Sequence, residues 1–239
     1  MDSINTIIKF LKNQLEDKPA ILGISGGIDS ALVAYLAVET IGNKKIHGIY
    51  MPSHTNTPAE TARANEVAAA LNIPLETIDI DPLVDVYKKQ ANFFDTKATE
   101  GNLKARIRMS FLYGKANKLN GLVLGTGNKT EIMLGYFTKY GDAGVDIQPI
   151  TALYKKDVYA LAKEMGVPQS IIDAAPTAGL WEGQTDEAEL GFSYDTADTI
   201  LQAIENNAPL DTFDTTTVTR IKAYIKASEH KRHLPPICY

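Results

Sequence analysis

The sequence of 239 residues has one cysteine, Cys238, which excludes an intramolecular disulfide, a CxxC redox pair and a four-cysteine zinc site. It also lacks a long apolar run. The longest, residues 31–38, is eight residues, against roughly 20 for a membrane-spanning helix. The opening MDSINTIIKF has none of the charged-then-apolar layout of a secretory leader. Basic residues are not in excess: 24 Lys+Arg face 29 Asp+Glu, a net charge of −5, so there is no basic footprint for non-specific nucleic-acid binding. These absences predict a cytoplasmic protein with no nucleic-acid and no membrane partner. What is present, 44% hydrophobic and 22% charged residues, suits a globular chain with a sizeable core. No repeat, low-complexity tract or composition shift divides the chain, so a single domain over residues 1–239 is expected.

Ile4, Ile7, Ile8, Leu11 and Leu15 share one helical face, and Pro19 ends that helix. Residues 20–24 read as a buried strand and 30–41 as an apolar helix. Residues 45–50, 74–80, 121–125 and 146–150 supply four more strand candidates. Thr57-Pro58-Ala59-Glu60 combines a capping box with proline at the first helical position, and Asp81-Pro82 starts a further helix to about residue 94. Residues 102–119 suggest a longer helix. Strands alternating with helices predict an α/β fold, a twisted five-stranded parallel sheet with helices on both faces. After residue 155 the pattern turns helical (155–165, 194–205, 214–228), giving a helical C-terminal extension. Residues 178–189 read as a long loop.

The most informative segment is GISGGIDS, residues 23–30, placed strand–turn–helix. Such a turn aims backbone N–H groups and the positive helix end at one point, which suits an anion. The dinucleotide fingerprint fails because position 25 is serine, and the phosphate-loop pattern fails because no G-K-[ST] follows. Gly23-Ile24-Ser25-Gly26-Gly27 formally matches a G-x-S-x-G nucleophile elbow, yet only one strand fits before it. A ligand-free glycine-rich turn is the bland alternative. Asp29 discriminates further, since a carboxylate inside a phosphate-cradling turn repels phosphate unless a cation such as Mg²⁺ lies between.

SGG-x-DS after a first strand resembles the signature of the ATP pyrophosphatases, which cleave ATP between the α and β phosphates. Four further segments resemble the NAD synthetase family: NLKARIRM (102–109), GTGNKTEIMLGYFTKYGDAGVD (125–146), PTAGLWEGQTDEAELGFSYD (176–195) and HKRHLPP (230–236). Together they span residues 23–236. The resemblance implies an adenine nucleotide alpha-hydrolase-like fold and ammonia-dependent amidation of deamido-NAD through an adenylate. It places ATP on Gly23, Ile24, Ser25, Gly26, Gly27, Ile28, Asp29, Ser30, Thr126, Lys155 and Thr177, and Mg²⁺ on Asp29 and Glu131. It places deamido-NAD on Arg106, Lys139, Asp146, His230 and Lys231. Asp142 and Lys155 are the expected catalytic groups, with Asp142 near the ammonia site. The family resemblance also implies a homodimer with the dinucleotide site at its interface.

Each residue also has a reading of its own. Glu131 alone would pass for a solvated helix carboxylate, and Arg106 for a surface arginine with a snorkelling stem. Lys155 is more telling, because a cation in the first turn of a helix is disfavoured by the macrodipole and so points to an anion nearby. His230 and Lys231, near a helix C-terminus, are already favourable there. His47, His54 and His233 have no metal-binding spacing and read as bystanders. Residues 178–189 are expected to form a lid that keeps water from an adenylate. Cys238, on the tail beyond Pro235-Pro236, reads as an incidental thiol, so free ammonia rather than glutamine is the expected nitrogen source. Thiolating ATP pyrophosphatases and a chemically silent nucleotide sensor are the competing classes.

Overall fold

The computed structural model describes residues 2–181 and 183–238. Met1 and Tyr239, at the ends of the expected domain, and Glu182, within the expected lid, lie outside the described residues. The elements run α1 (Asp2–Leu15), β1 (Ala20–Gly23), α2 (Ile28–Ile41), β2 (Ile46–Tyr50), α3 (Pro58–Leu71), β3 (Leu75–Thr77), α4 (Asp81–Gln90), α5 (Lys97–Leu119) and β4 (Leu122–Val123). They continue with α6 (Lys129–Leu134), α7 (Lys155–Glu164), α8 (Gln169–Ile172), α9 (Asp186–Leu190), α10 (Tyr194–Glu205) and α11 (Thr215–Ala227). The strands form a wholly parallel sheet of order β3-β2-β1-β4.

The sheet separates two cores because strand side chains alternate between faces. Ala20 and Leu22 of β1 join Ile46 and Tyr50 of β2 in a core covered by α1, α2 and α7. Ile21, Ile49 and Val123 point the other way, against Leu103, Ile107 and Ala116 of α5. A third cluster, with Leu134, Leu190, Ile200, Leu201 and Ile221, holds the C-terminal helices to α6. Chain order reverses at β1, with β2 on one side and β4 on the other. The crevice outside the carboxyl ends of β1 and β4 is therefore a topological switch point, where open parallel sheets bind ligands.

The expected five-stranded sheet is corrected to four strands. Residues 146–150 reach the sheet only as an isolated parallel bridge between Leu124 and Ile147. The Asp146 and Ile147 amides both bond the Val123 carbonyl, but Pro149 has no N–H with which to extend a ladder. The helix expected from residue 102 begins at Lys97, because Thr96 and Thr99 form a reciprocal cap there. The helix at Asp81-Pro82 stops at Gln90, short of residue 94. The loop of residues 178–189 carries the start of α9.

Candidate functional site

A cavity of about 560 Å³ opens at the switch point. One wall is the turn from β1 into α2, and its backbone cannot tolerate side chains everywhere. Gly26 has φ +82°, and a Cβ there would lie 2.5 Å from the Glu60 carbonyl oxygen. Glycine is thus required twice, for the dihedral and for the approach of α3. The turn braces itself: Ser30 Oγ donates to the Gly27 carbonyl at 2.9 Å, and the Gly27 amide donates to Ser25 Oγ at 3.2 Å. Arg63 Nε reaches across from α3 to the Gly26 carbonyl at 3.0 Å. No histidine lines the cavity among the described residues, so Ser25 has no base beside it and the nucleophile-elbow reading gains nothing.

At the start of α2 three charged groups converge. Lys155 Nζ, at the first position of α7, lies 2.5 Å from Asp29 Oδ2 and 3.4 Å from Glu131 Oε1. Asn128 organises the acidic pair. Its side-chain oxygen accepts the Glu131 amide at 3.0 Å as the N-cap of α6, and its amide nitrogen donates to Asp29 Oδ1 at 2.8 Å. Burial, and after it the Asp29 carboxylate, push the Glu131 carboxyl well above the usual range, against the pull of Lys155. Burial works against the Lys155 ammonium, but Asp29 and Glu131 outweigh it, and the ammonium stays charged above the ordinary lysine range. Two carboxylates held together in a buried place are the donor set of a hard cation completed by phosphate oxygens. Among the described residues no group of three His, Cys, Asp or Glu side chains is arranged to hold a metal. Asp29 and Glu131 therefore fit Mg²⁺ shared with a nucleotide, and do not fit an all-protein cage.

Further back, Tyr194 of α10 donates to Asp186 Oδ2 at 2.9 Å, and Tyr136 donates to Glu189 Oε2 at 2.7 Å. Burial and the neighbouring carboxylates raise both phenols, so they remain donors throughout the physiological range. Asp186 also accepts the Ala178 amide at 3.0 Å, a bond within the residue 178–189 segment, and the Tyr136 hydroxyl at 3.2 Å, which ties that segment to this end of the cavity. The same segment is tied again where Lys104 Nζ donates to the Leu180 carbonyl at 3.1 Å and Thr55 Oγ1 to the Gly179 carbonyl at 2.9 Å.

The sequence-predicted residues fall into three groups. Gly23 through Ser30, Thr126, Glu131, Asp142, Lys155, Thr177 and Lys231 all line the cavity. Asp142 Oδ1 accepts the Thr138 amide at 2.8 Å, and burial raises its carboxyl above the usual range. Burial lowers the Lys231 ammonium, which donates to the Gly135 and Phe137 carbonyls at 2.8 and 2.7 Å. Arg106, Lys139 and His230 lie outside the cavity in a chain of their own. Arg106 donates to the Lys139 carbonyl at 3.3 Å, and Lys139 Nζ to the His230 carbonyl at 2.6 Å. Asp146 stands apart from both groups, accepting the Val123 amide at 2.8 Å and the Tyr113 hydroxyl at 3.1 Å.

Sequence reasoning missed Asn128, Arg108, Tyr136, Tyr194 and Asp186. For Asn128 a signal existed, because Asn128-Lys129-Thr130-Glu131 is a capping pattern. For Arg108 the signal was helical phase. Asn102, Ala105, Met109 and Leu112 line the cavity at three- and four-residue spacing together with Arg108, whereas Arg106, two residues earlier, faces away. Arg108 Nε donates to the Met51 carbonyl at 2.9 Å, and burial pulls its guanidinium down to about 10.

Residues 3–235 match the NAD synthase family. The chain is 46% identical to the NH(3)-dependent NAD(+) synthetase of Methanococcoides burtonii, over 98% of this chain and 93% of that one. It is 43% identical to the enzyme of the same description from Thermococcus kodakarensis, over 98% and 95%. Among solved structures it superposes on NMN synthetase from Francisella tularensis with a TM-score of 0.91 at 34% identity, covering 99% of this chain and 97% of that one. It superposes on the NH3-dependent NAD synthetase of Campylobacter jejuni, solved with nitrate, with a TM-score of 0.87 at 32% identity, covering 100% and 98%. With the family model matched over residues 3–235 and these relatives over nearly all of their length, the chain belongs to the NAD synthase family.

Proposed function

We propose that this member of the NAD synthase family joins ammonia to the nicotinate carboxyl of deamido-NAD, using ATP, and releases NAD, AMP and pyrophosphate. It is an ammonia-dependent NAD synthetase, a ligase forming a carbon–nitrogen bond in the last step of NAD biosynthesis. The observation that carries this reading is the contact of Lys155 with Asp29 and Glu131 beside the phosphate-cradling turn. That arrangement puts an ammonium, and two carboxylates able to hold a cation, beside a departing pyrophosphate without a phosphate-loop lysine. The curated relatives carry the same activity in their names.

In the first step a nicotinate oxygen attacks the α-phosphorus of ATP. The new O–P bond forms as the bond to the β-phosphate bridging oxygen breaks, and pyrophosphate leaves. The amides of the 23–30 turn, the start of α2 and Lys155 take up the charge that develops on it. Mg²⁺ held by Asp29 and Glu131 supplies further charge neutralisation when bound. In the second step ammonia attacks the acyl carbon, AMP leaves with its electron pair, and Asp142 accepts a proton from the nitrogen. The buried, upward-shifted Asp142 carboxyl is a stronger base than an ordinary aspartate. Thr126 and Thr177, which both line the cavity, bind ATP.

The chain formed by Arg106, Lys139 and His230, next to Lys231, is the surface for deamido-NAD, and Asp146, which stands apart from that chain, is a further contact for it. Because these groups lie on the outside of the molecule, a second copy completes the site in a homodimer. The catalytic unit is one domain, and its location is cytoplasmic. Among the described residues no helix is long and apolar enough to cross a membrane.

The high structural likeness to an NMN synthetase favours one second reading, in which the acyl substrate is nicotinate mononucleotide. The two are separated by supplying each acid with ATP, Mg²⁺ and ammonium and following AMP. A kcat/KM at least about tenfold higher for deamido-NAD supports the first reading, and the reverse order supports the second.

A further inference from the structure

We infer that Asp198 is a positioning residue for Lys155 and Glu131, acting through Thr130. Asp198 lies on α10 and is fully buried, with 0% of its surface exposed. Among the described residues it forms no ion pair; both its oxygens are used on the two helices that carry the charged cluster. Oδ1 accepts the Thr130 hydroxyl of α6, and Oδ2 accepts the Lys156 amide of α7 at 2.9 Å. Thr130 Oγ1, also fully buried, accepts the Lys155 amide at 3.0 Å. One carboxylate therefore joins the residue next to Glu131 to the backbone of Lys155 and of its neighbour.

The local bond at this end of α7, from the Tyr154 amide to Asp157 Oδ2 at 3.1 Å, satisfies no amide of the first turn. Tyr154, at its N-cap, sends its hydroxyl to Glu205 at 3.0 Å rather than to the first turn. The free amides of that turn take their acceptors from α6 and α10 instead, and the negative charge sits at the positive end of the helix. A buried carboxylate is costly unless hydrogen-bonded, and this one is bonded only to groups that fix the angle between α6 and α7. That angle sets the separation of Lys155 from Glu131 and Asp29. The role rests on the proposal that Lys155 meets the phosphates of ATP.

Three variants test it: Asp198→Asn, Thr130→Val and Thr130→Ser. Asn keeps the shape but cannot accept at both ends, Val removes the relay hydroxyl, and Ser restores it. Misplacing Lys155 should lower kcat between about 10- and 100-fold in Asp198→Asn and Thr130→Val, with a much smaller change in the KM for ATP. Thr130→Ser should stay within about twofold of the parent. Pyrophosphate binding by calorimetry reads the same placement without an acyl substrate, with about tenfold weakening expected in Thr130→Val and none in Thr130→Ser. If Asp198→Asn does not fold, the two Thr130 variants decide. A folded Thr130→Val or Asp198→Asn with parental kcat and parental pyrophosphate affinity, whatever its Tm, overturns the inference. Failure of the functional proposal has a different signature: parent protein that makes no AMP from ATP and deamido-NAD yet still shows the pyrophosphate difference.

Discussion

The Asn128 side chain donates to Asp29 at 2.8 Å while its oxygen caps the helix that carries Glu131. Two carboxylates separated by about a hundred positions in sequence are thus set by one amide. Neither is free to relax away from the other, although both are acidic, because each is held from the same residue.

Asn128→Ala should therefore do two things at once. Loss of the cap should cost about 1 kcal/mol, a fall of a few degrees in Tm. Loss of the Asp29 partner should lower AMP formation by about tenfold or more, beyond anything the Tm change explains. Calorimetric melting and an AMP assay on one preparation measure both. Parental turnover in a destabilised variant would confine Asn128 to capping.

The paired carboxylates make a second prediction. Asp29→Asn and Glu131→Gln should each reduce turnover on the order of 100-fold while the protein remains folded, since the charge neutralisation they support is needed as pyrophosphate leaves. The reduction should be greatest at limiting Mg²⁺. Near-parental turnover of either variant at limiting Mg²⁺ would remove that residue from the metal site.

Asp142 links pH to stability. Its carboxyl is raised by burial, against the Thr138 amide and Lys231. Between the unfolded value and the higher folded one, the native state binds more protons than the unfolded state. Its contribution is thus fully present below the unfolded value and is lost as pH rises through the folded value. Asp142→Asn, which keeps the acceptor for Thr138, should melt higher than the parent at neutral pH, with the gain shrinking toward pH 4. The same variant should lose about 100-fold in ammonia-dependent turnover. A gain that grew on acidification would reverse the sign and refute the argument.

Much of the fold was legible because local signals and burial agreed. Thr57 and Glu60 form the capping box that their order predicts, with Pro58 at the first helical position, and the residues of the 23–30 turn all line the cavity. The fifth strand was not legible, because alternating residues at 146–150 say nothing of how little ladder remains before Pro149. Arg108, which lines the cavity two residues after the motif-assigned Arg106, is not singled out by the motif, since a motif names residues but only helical phase assigns them to a face. Tyr194 and Asp186 lie in the 176–195 segment, but nothing local assigns them a role, and Asp198 lies outside every such segment. Their chemistry comes from α9 and α10 packing back on α6 and α7, which is tertiary information.

The residue 178–189 segment is held to the rest of the fold where Lys104 donates to the Leu180 carbonyl and where Asp186 accepts the Tyr136 and Tyr194 hydroxyls. If it is a lid, Lys104→Met should loosen it around Leu180 while Asp186 still holds its other end. Hydrogen exchange should then quicken around Gly179 and Leu180, and ATP with deamido-NAD should restore protection there. Strong protection of these amides in the free parent, unchanged by ligands, would make the segment a fixed wall.

The central claim is that this chain cleaves ATP between the α and β phosphates to activate an acid for ammonia. The most direct measurement follows AMP, ADP and NAD in one reaction with ATP, Mg²⁺ and deamido-NAD, supplied with an ammonium salt or with ammonia-free glutamine, for the parent and for Cys238→Ser. AMP and NAD in equal amounts with ammonium, no NAD with glutamine and no change in Cys238→Ser is the predicted result; ADP as the main product, or AMP released without deamido-NAD, would contradict it.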